Sequence, residues 1–159
     1  MKCLIIVGSI FGNTRQIAGA VAKGVNQFAE VEICDVKHFS VETVRNFQFV
    51  VVGSPTRGFR PMPEIAGFLK NLPAHSLDGK KVAAFDTRIL LTTIKSSFFR
   101  FIVDKGGYAA GTIAKALQKK GGTLVMPPEG FFVLGEEGPL VEGEIERAEK
   151  WISMEFFHK

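Results

Sequence analysis

Residues 3–14 read Cys3-Leu4-Ile5-Ile6-Val7-Gly8-Ser9-Ile10-Phe11-Gly12-Asn13-Thr14, and the rest of the chain is interpreted outward from them. Five apolar residues in a row, rich in β-branched types and closed by Gly8, predict a strand buried on both faces. Helical spacing follows at once. Ile17, Ala18, Val21, Ala22, Val25 and Phe28 fall on one side of a helix from about Thr14 to Phe28. The stretch between therefore leads from the C-terminal end of a buried strand into a helix N-terminus. Unsatisfied backbone N–H groups and the positive end of the helix dipole meet there, a setting that suits a phosphate. Ser9, Asn13 and Thr14 add hydroxyl and amide donors, with Gly8 and Gly12 allowing close backbone approach. The stretch lacks the Gly-Lys-Ser/Thr of a nucleoside-triphosphate loop and the Gly-x-Gly of a dinucleotide fingerprint.

The pattern repeats along the chain. Val31–Val36 alternates and predicts a shorter edge strand, and Ser40 is placed to cap a short helix reaching Val44. Phe47–Gly53, apolar but for Gln48, is a further strand. Gly53–Pro61, with two Pro and two Gly, is expected to be irregular. Pro63 opens a helix with Ile65, Phe68, Leu69 and Leu72 on one face. Lys81–Phe85 is a fourth strand running into the polar segment Asp86-Thr87-Arg88. A helix follows from about Ala109 to Lys120 and stops at Gly121-Gly122. Thr123–Met126 is the fifth strand, Pro127–Pro139 a loop with an extended piece at Gly130–Leu134, and Val141–Phe156 the last helix.

Strand and helix alternate throughout, which predicts an α/β domain spanning residues 1–159: a parallel sheet with helices on both faces. In such a sheet the segments after strands one, three and four converge on one edge, where ligands bind. Those segments are Ser9–Thr14, Ser54–Pro61 and Asp86–Arg88. Ile89–Tyr108 is apolar and aromatic without a clean period. Its Phe98, Phe99 and Phe101 read as a core or homodimer contact, or as a lid over the site.

Composition narrows the functional classes. The chain has 159 residues, 46% of them hydrophobic and 23% charged, as in ordinary globular domains. No apolar run approaches the roughly 20 residues of a membrane span, and the N-terminal apolar run is too short for a signal peptide, so a cytoplasmic protein is expected. Cys3 and Cys34 form no Cys-x-x-Cys and read as buried thiols, while His38, His75 and His158 are too scattered to predict a metal site. The net charge is +4, but the basic residues are spread out with no interleaved aromatics, so nucleic acid is not an expected partner. Glu129–Glu149 is acidic, seven Glu against Arg147, and reads as solvated faces or a docking patch. No nucleophile or acid–base pair argues for hydrolysis or group transfer.

The spacing Ser9-x-x-Gly12-Asn13-Thr14 resembles the FMN-phosphate loop of the flavodoxins, with Phe11 standing where that family usually carries a hydroxyl. Val52-Gly53-Ser54-Pro55-Thr56-Arg57-Gly58 resembles the family segment that packs on the flavin ring. Phe85-Asp86-Thr87-Arg88 resembles its third flavin loop, and Phe132–Trp151 is similar to the end of short-chain members. The resemblance implies a three-layer sandwich with a five-stranded parallel sheet in the order 2-1-3-4-5. It implies FMN held by Ser9, Ile10, Phe11, Gly12, Asn13, Thr14, Pro55, Thr56, Arg57, Gly58, Phe59, Asp86, Thr87 and Arg88. Phe59 is the stacking candidate, because the only Trp is Trp151 on the last helix and the only Tyr, Tyr108, lies outside these loops. The implied function is electron transfer between partners. The alternatives are an FMN-dependent NAD(P)H:quinone or flavin reductase acting on a small quinone-like substrate, and a non-redox domain binding another phosphate ligand. Arg57 and Arg88, in two loops expected to meet at the ring, would favour the reduced, anionic flavin.

Overall fold

The computed structural model describes residues 1–90 and 108–153. The expectations for Phe98, Phe99 and Phe101, and for the end of the last helix beyond residue 153, lie outside the described residues. The elements are β1 (Lys2–Val7), α1 (Asn13–Val25), β2 (Glu30–Asp35), β3 (Phe49–Pro55), α2 (Pro63–Asn71), β4 (Lys81–Ile89), α3 (Ala109–Lys119), β5 (Thr123–Leu124), β6 (Glu129–Val133) and α4 (Glu144–Trp151). Two short 3-10 turns, Val36–His38 and Val41–Asn46, join β2 to β3. Ser40 precedes the second of these but its side chain does not cap it; its carbonyl accepts from the Thr43 N–H and hydroxyl instead.

All strand pairs are parallel, in the order β2-β1-β3-β4-β5, with β6 also against β4. The side-chain alternation of β1 shows why its sequence is apolar throughout. Leu4 and Ile6 join one core, with Val50, Val52, Val82 and Ala84 from neighbouring strands, beneath α2 and α3. Cys3, Ile5 and Val7 join the opposite core with Phe49, Val51, Ala83 and Phe85, beneath α1 and α4. Trp151 belongs to that second core, edge-on to Phe85 and Phe131 at 5.9 and 5.8 Å between ring centroids.

Register sets the level of the strand ends. Val7 lies opposite Gly53, and Gly53 opposite Phe85. β1 stops there, but β3 and β4 continue together, Ser54 beside Asp86 and Pro55 beside Thr87. Two sequence expectations are corrected by this. Ser54-Pro55 and Asp86-Thr87-Arg88 are strand rather than loop, because each extension completes the other's backbone ladder. The result is a step: the loop Ser9–Thr14 springs from the low end of β1, beside a wall formed by β3, β4 and β6.

The edge beyond β4 is a single strand position occupied by two pieces. β5 faces Lys81 and Val82; β6 faces Phe85–Ile89. The edge chain is two residues longer than β4 between the two pieces, and Pro127 and Pro128 lie in that excess. The last helix begins at Glu144 rather than near Val141, since Leu140 bridges Val133 and the Val141 N–H donates to Phe132. Among the described residues no helix is long and apolar enough to cross a membrane.

Candidate functional site

The three segments named above meet at the step. A cleft opens there, lined by Ser9, Ile10, Phe11, Asn13, Thr14, Pro55, Thr56, Arg57, Thr87 and Arg88 together with Ile89, Val133 and Glu136. Ten of the expected residues are thus brought together. Gly12, Gly58, Phe59 and Asp86 are adjacent but do not line the cleft, and Ile89, Val133 and Glu136 were not anticipated.

The α1 end is built to receive an anion. Gly12 precedes the helix with φ 93°, a left-handed conformation that costs a Cβ-bearing residue strain and a glycine little. Its N–H donates to Ser9 Oγ at 3.1 Å, folding the loop over the helix end. No side chain caps α1, and its first turn carries no acid. The N–H groups of that turn have no acceptor within the helix. Asn13 and Thr14 are buried beside them. Thr14 Oγ1 lies 2.8 Å from Thr87 Oγ1, which ties α1 to the β4 extension. Ile10 and Phe11 point outward, 49% and 46% exposed.

The β3 wall ends in a tight turn. Ser54 Oγ, fully buried, accepts from the Met62 N–H at 2.9 Å and draws the segment back onto the start of α2. Between them Arg57 and Arg60 exchange both backbone hydrogen bonds, at 2.8 and 3.0 Å. The two central residues, Gly58 and Phe59, have φ of 54° and 67°, the handedness of a type I′ turn. Phe59 is therefore a bulky residue in a conformation that favours glycine.

The β4 wall carries the charge. Asp86 is completely buried and accepts from Arg88 Nε and Nη2, both at 2.7 Å, from the Ala110 N–H at 2.9 Å, and from the Thr56 hydroxyl. Thr56 Oγ1 also accepts from the Ala109 N–H at 3.0 Å. Asp86 on β4 and Thr56 just after β3 together cap α3, whose own N-cap residue, Tyr108, does not cap it with its side chain. Burial pushes the Asp86 carboxyl up; the Arg88 guanidinium, the Ala110 N–H and the Thr56 hydroxyl oppose that rise. Arg88 in turn stacks 3.5 Å over the Tyr108 ring. Asp86 therefore lies buried beneath the cleft rather than among the residues that line it.

Arg57 is paired as well, with Glu136 at 3.1 Å. Each arginine that lines the cleft thus holds a carboxylate, which reduces the positive charge behind the expectation that Arg57 and Arg88 favour an anionic flavin. Glu136 was missed because it lies far along the chain, in a segment read as loop. The acidic stretch is likewise not a solvated face throughout. Glu144 is 7% exposed, accepts from the Phe132 N–H at 2.7 Å and pairs with Arg147, which also reaches Glu129. Burial alone would raise Glu144; the Arg147 guanidinium and the Phe132 N–H outweigh it and hold the carboxyl below the usual glutamate range.

A doubly wound parallel sheet with an uncapped helix N-terminus beside a cleft at its strand ends defines a class: proteins that bind a mononucleotide by its phosphate. A family model matches residues 5–151 to Flavodoxin, and the chain belongs to the flavodoxin family. Members of that family bind FMN, and FMN is the cofactor that goes with this fold. Among solved structures, oxidised flavodoxin 1 from Bacillus cereus is 19% identical, covers 99% of this chain and 98% of its own, and has a TM-score of 0.72. Two-electron reduced Megasphaera elsdenii flavodoxin is 21% identical, with coverage of 93% and 96% and a TM-score of 0.66. The rubredoxin oxygen:oxidoreductase of Desulfovibrio gigas is 18% identical over 93% of this chain and 33% of its own, with a TM-score of 0.69. No curated protein matches the chain by sequence.

The residues present fit FMN. The uncapped first turn of α1, with Ser9, Asn13 and Thr14, offers neutral and backbone donors to a phosphate. The cleft beyond it is walled by Pro55, Thr56, Ile89 and Val133, an apolar and hydroxyl surface suited to a flat heterocycle.

Proposed function

We propose that this chain is a flavodoxin-type electron carrier that holds FMN through Ser9–Thr14 and passes electrons between protein partners. The observation that carries the reading is the uncapped N-terminus of α1 at the floor of the cleft. Bound FMN supplies the electron-transfer chemistry. The chain's own residues bind its phosphate, wall the ring, and leave a rim for a partner. Four of the six exposed large hydrophobics among the described residues, Ile10, Phe11, Ile89 and Leu134, lie in or next to the lining of this cleft. Such a grouping favours an apolar face on a partner over a diffuse electrostatic encounter. Free Cys3 and Cys34, the former buried so that its thiol is pushed up to about 12, accord with a reducing, cytoplasmic setting.

The carrier is favoured over a quinone or flavin reductase because the two arginines expected to favour the reduced flavin are each paired with a carboxylate. Absorption spectra of purified protein titrated with FMN test cofactor binding. NADH consumption with a quinone separates carrier from reductase, and a carrier gives none above background. Replacing Asn13 and Thr14 together with Ala should weaken FMN binding at least tenfold, about 1.4 kcal/mol. Unchanged affinity in a correctly folded variant would remove the phosphate assignment.

A further inference from the structure

The segment after β6 turns back on itself. Val133 and Leu140 form an antiparallel bridge, the Leu134 N–H donates to the Pro139 carbonyl at 2.9 Å, and the Gly138 N–H to the Gly135 carbonyl at 3.1 Å. Glu136 and Glu137 sit at the tip of this hairpin. The tip touches both sides of the cleft. On the phosphate side, Asn13 Nδ2 donates to the Glu137 carbonyl at 3.1 Å. The approach there is so close that a Cβ on Gly138 would come within 2.7 Å of the Asn13 amide. On the ring side, Glu136 Oε1 lies 3.1 Å from Arg57 Nη2, and both residues line the cleft.

We propose that Glu136 sets the charge of the cofactor site, holding Arg57 across the mouth of the cleft and cancelling its field. The proposal deepens the FMN reading and rests on it. A cation at the rim lowers the energy of a reduced, anionic cofactor relative to the neutral oxidised one. Joined to a carboxylate 3.1 Å away, the same cation acts as a short dipole whose effect falls off much faster with distance. Arg88 cannot take over this role, because its guanidinium is committed to the buried Asp86. Of the two pairs, Arg57–Glu136 is the adjustable one: its side chains are 43% and 66% exposed, open to solvent and salt, whereas Arg88 is 17% exposed and Asp86 wholly buried. The hairpin fixes the geometry from the other side through Asn13, so phosphate loop and charge pair share one support.

The test is a charge cycle on FMN-loaded protein: wild type, Glu136→Gln, Arg57→Gln and the double variant, with midpoint potentials measured by spectroelectrochemistry at low and high salt. Glu136→Gln should shift the potential to less negative values and Arg57→Gln to more negative ones. The double variant should return close to wild type. Each single shift should correspond to a three- to tenfold change in relative affinity for reduced over oxidised FMN, tenfold being about 59 mV per electron. High salt should shrink both. A merely structural role for the pair would weaken FMN binding in both single variants without opposite shifts. Single shifts of the same sign, or none while FMN remains bound, overturn the proposal. Wild-type protein that takes up no FMN overturns the carrier reading itself, and fluorescence titration distinguishes the two failures.

Discussion

Two helix N-termini look out at the same edge of the sheet, and the chain treats them in opposite ways. The α3 end is occupied from within: Asp86 accepts from the Ala110 N–H, Thr56 from the Ala109 N–H, and Arg88 balances the acid. The α1 end has no side-chain cap and no acid in its first turn. Both ends carry the same backbone dipole and the same set of unsatisfied donors. What differs is who supplies the acceptor. At α3 it is a strand of the protein, which welds helix to sheet; at α1 it is left to a ligand. A binding site for an anion here is a cap the sequence declines to make for itself.

Removing the internal acceptor should have the largest effect. Asp86→Ala strands the Arg88 guanidinium, the Ala110 N–H and the Thr56 hydroxyl, and should destabilise the fold by about 3–5 kcal/mol in urea unfolding. A loss under about 1 kcal/mol, as for exposed ion pairs, would mean that α3 needs no help from β4.

Glu144 sharpens the comparison, because it too serves a backbone donor, the Phe132 N–H of a strand, with Arg147 as its counter-charge. Its folded carboxyl titrates below the ordinary value of 4.5. A depressed acid contributes stability that is complete above the unfolded value and is lost as pH falls through the folded one. The unfolding midpoint of Glu144→Gln should therefore lie below wild type at neutral pH. The gap should close as pH drops below about 4.5. A gap that does not change with pH would assign the contact to packing alone.

The smallest and most pointed effect concerns the uncapped end. Gln16 is exposed in the first turns of α1. Gln16→Glu places an acid near the positive end of the dipole, and should stabilise the FMN-free protein by about 0.3–1 kcal/mol. The same charge should oppose a phosphate and weaken FMN binding. Opposite signs in the two measurements are the expected result; equal signs would argue that the phosphate is held elsewhere.

The sequence carried the architecture because each central strand is apolar on both faces, and β1 alternates between two cores that both demand it. It carried the turn from β1 into α1 because that turn is local, one strand end and one helix start. It did not carry the upper wall of the cleft. Ser54, Asp86, Thr87 and Arg88 read as loop by polarity, yet they are strand, since Asp86 and Thr87 find partners in Thr56, Ala110 and Thr14 that no local window contains. Glu136 was illegible for the same reason. Its meeting with Arg57 depends on a hairpin tip reaching back across the sheet, and nothing in the composition of residues 127–139 marks which Glu of the acidic stretch will be the one to arrive.

The interruption between β5 and β6 bears on how copies of this chain can meet. An outer strand with its N–H and C=O groups in an unbroken row is a template on which another chain can extend the sheet. Here that row is cut after two residues of β5, shifts by two positions, and lacks donors at Pro127 and Pro128. The irregularity thus makes this side of the molecule a poor template for a neighbour to join edge to edge.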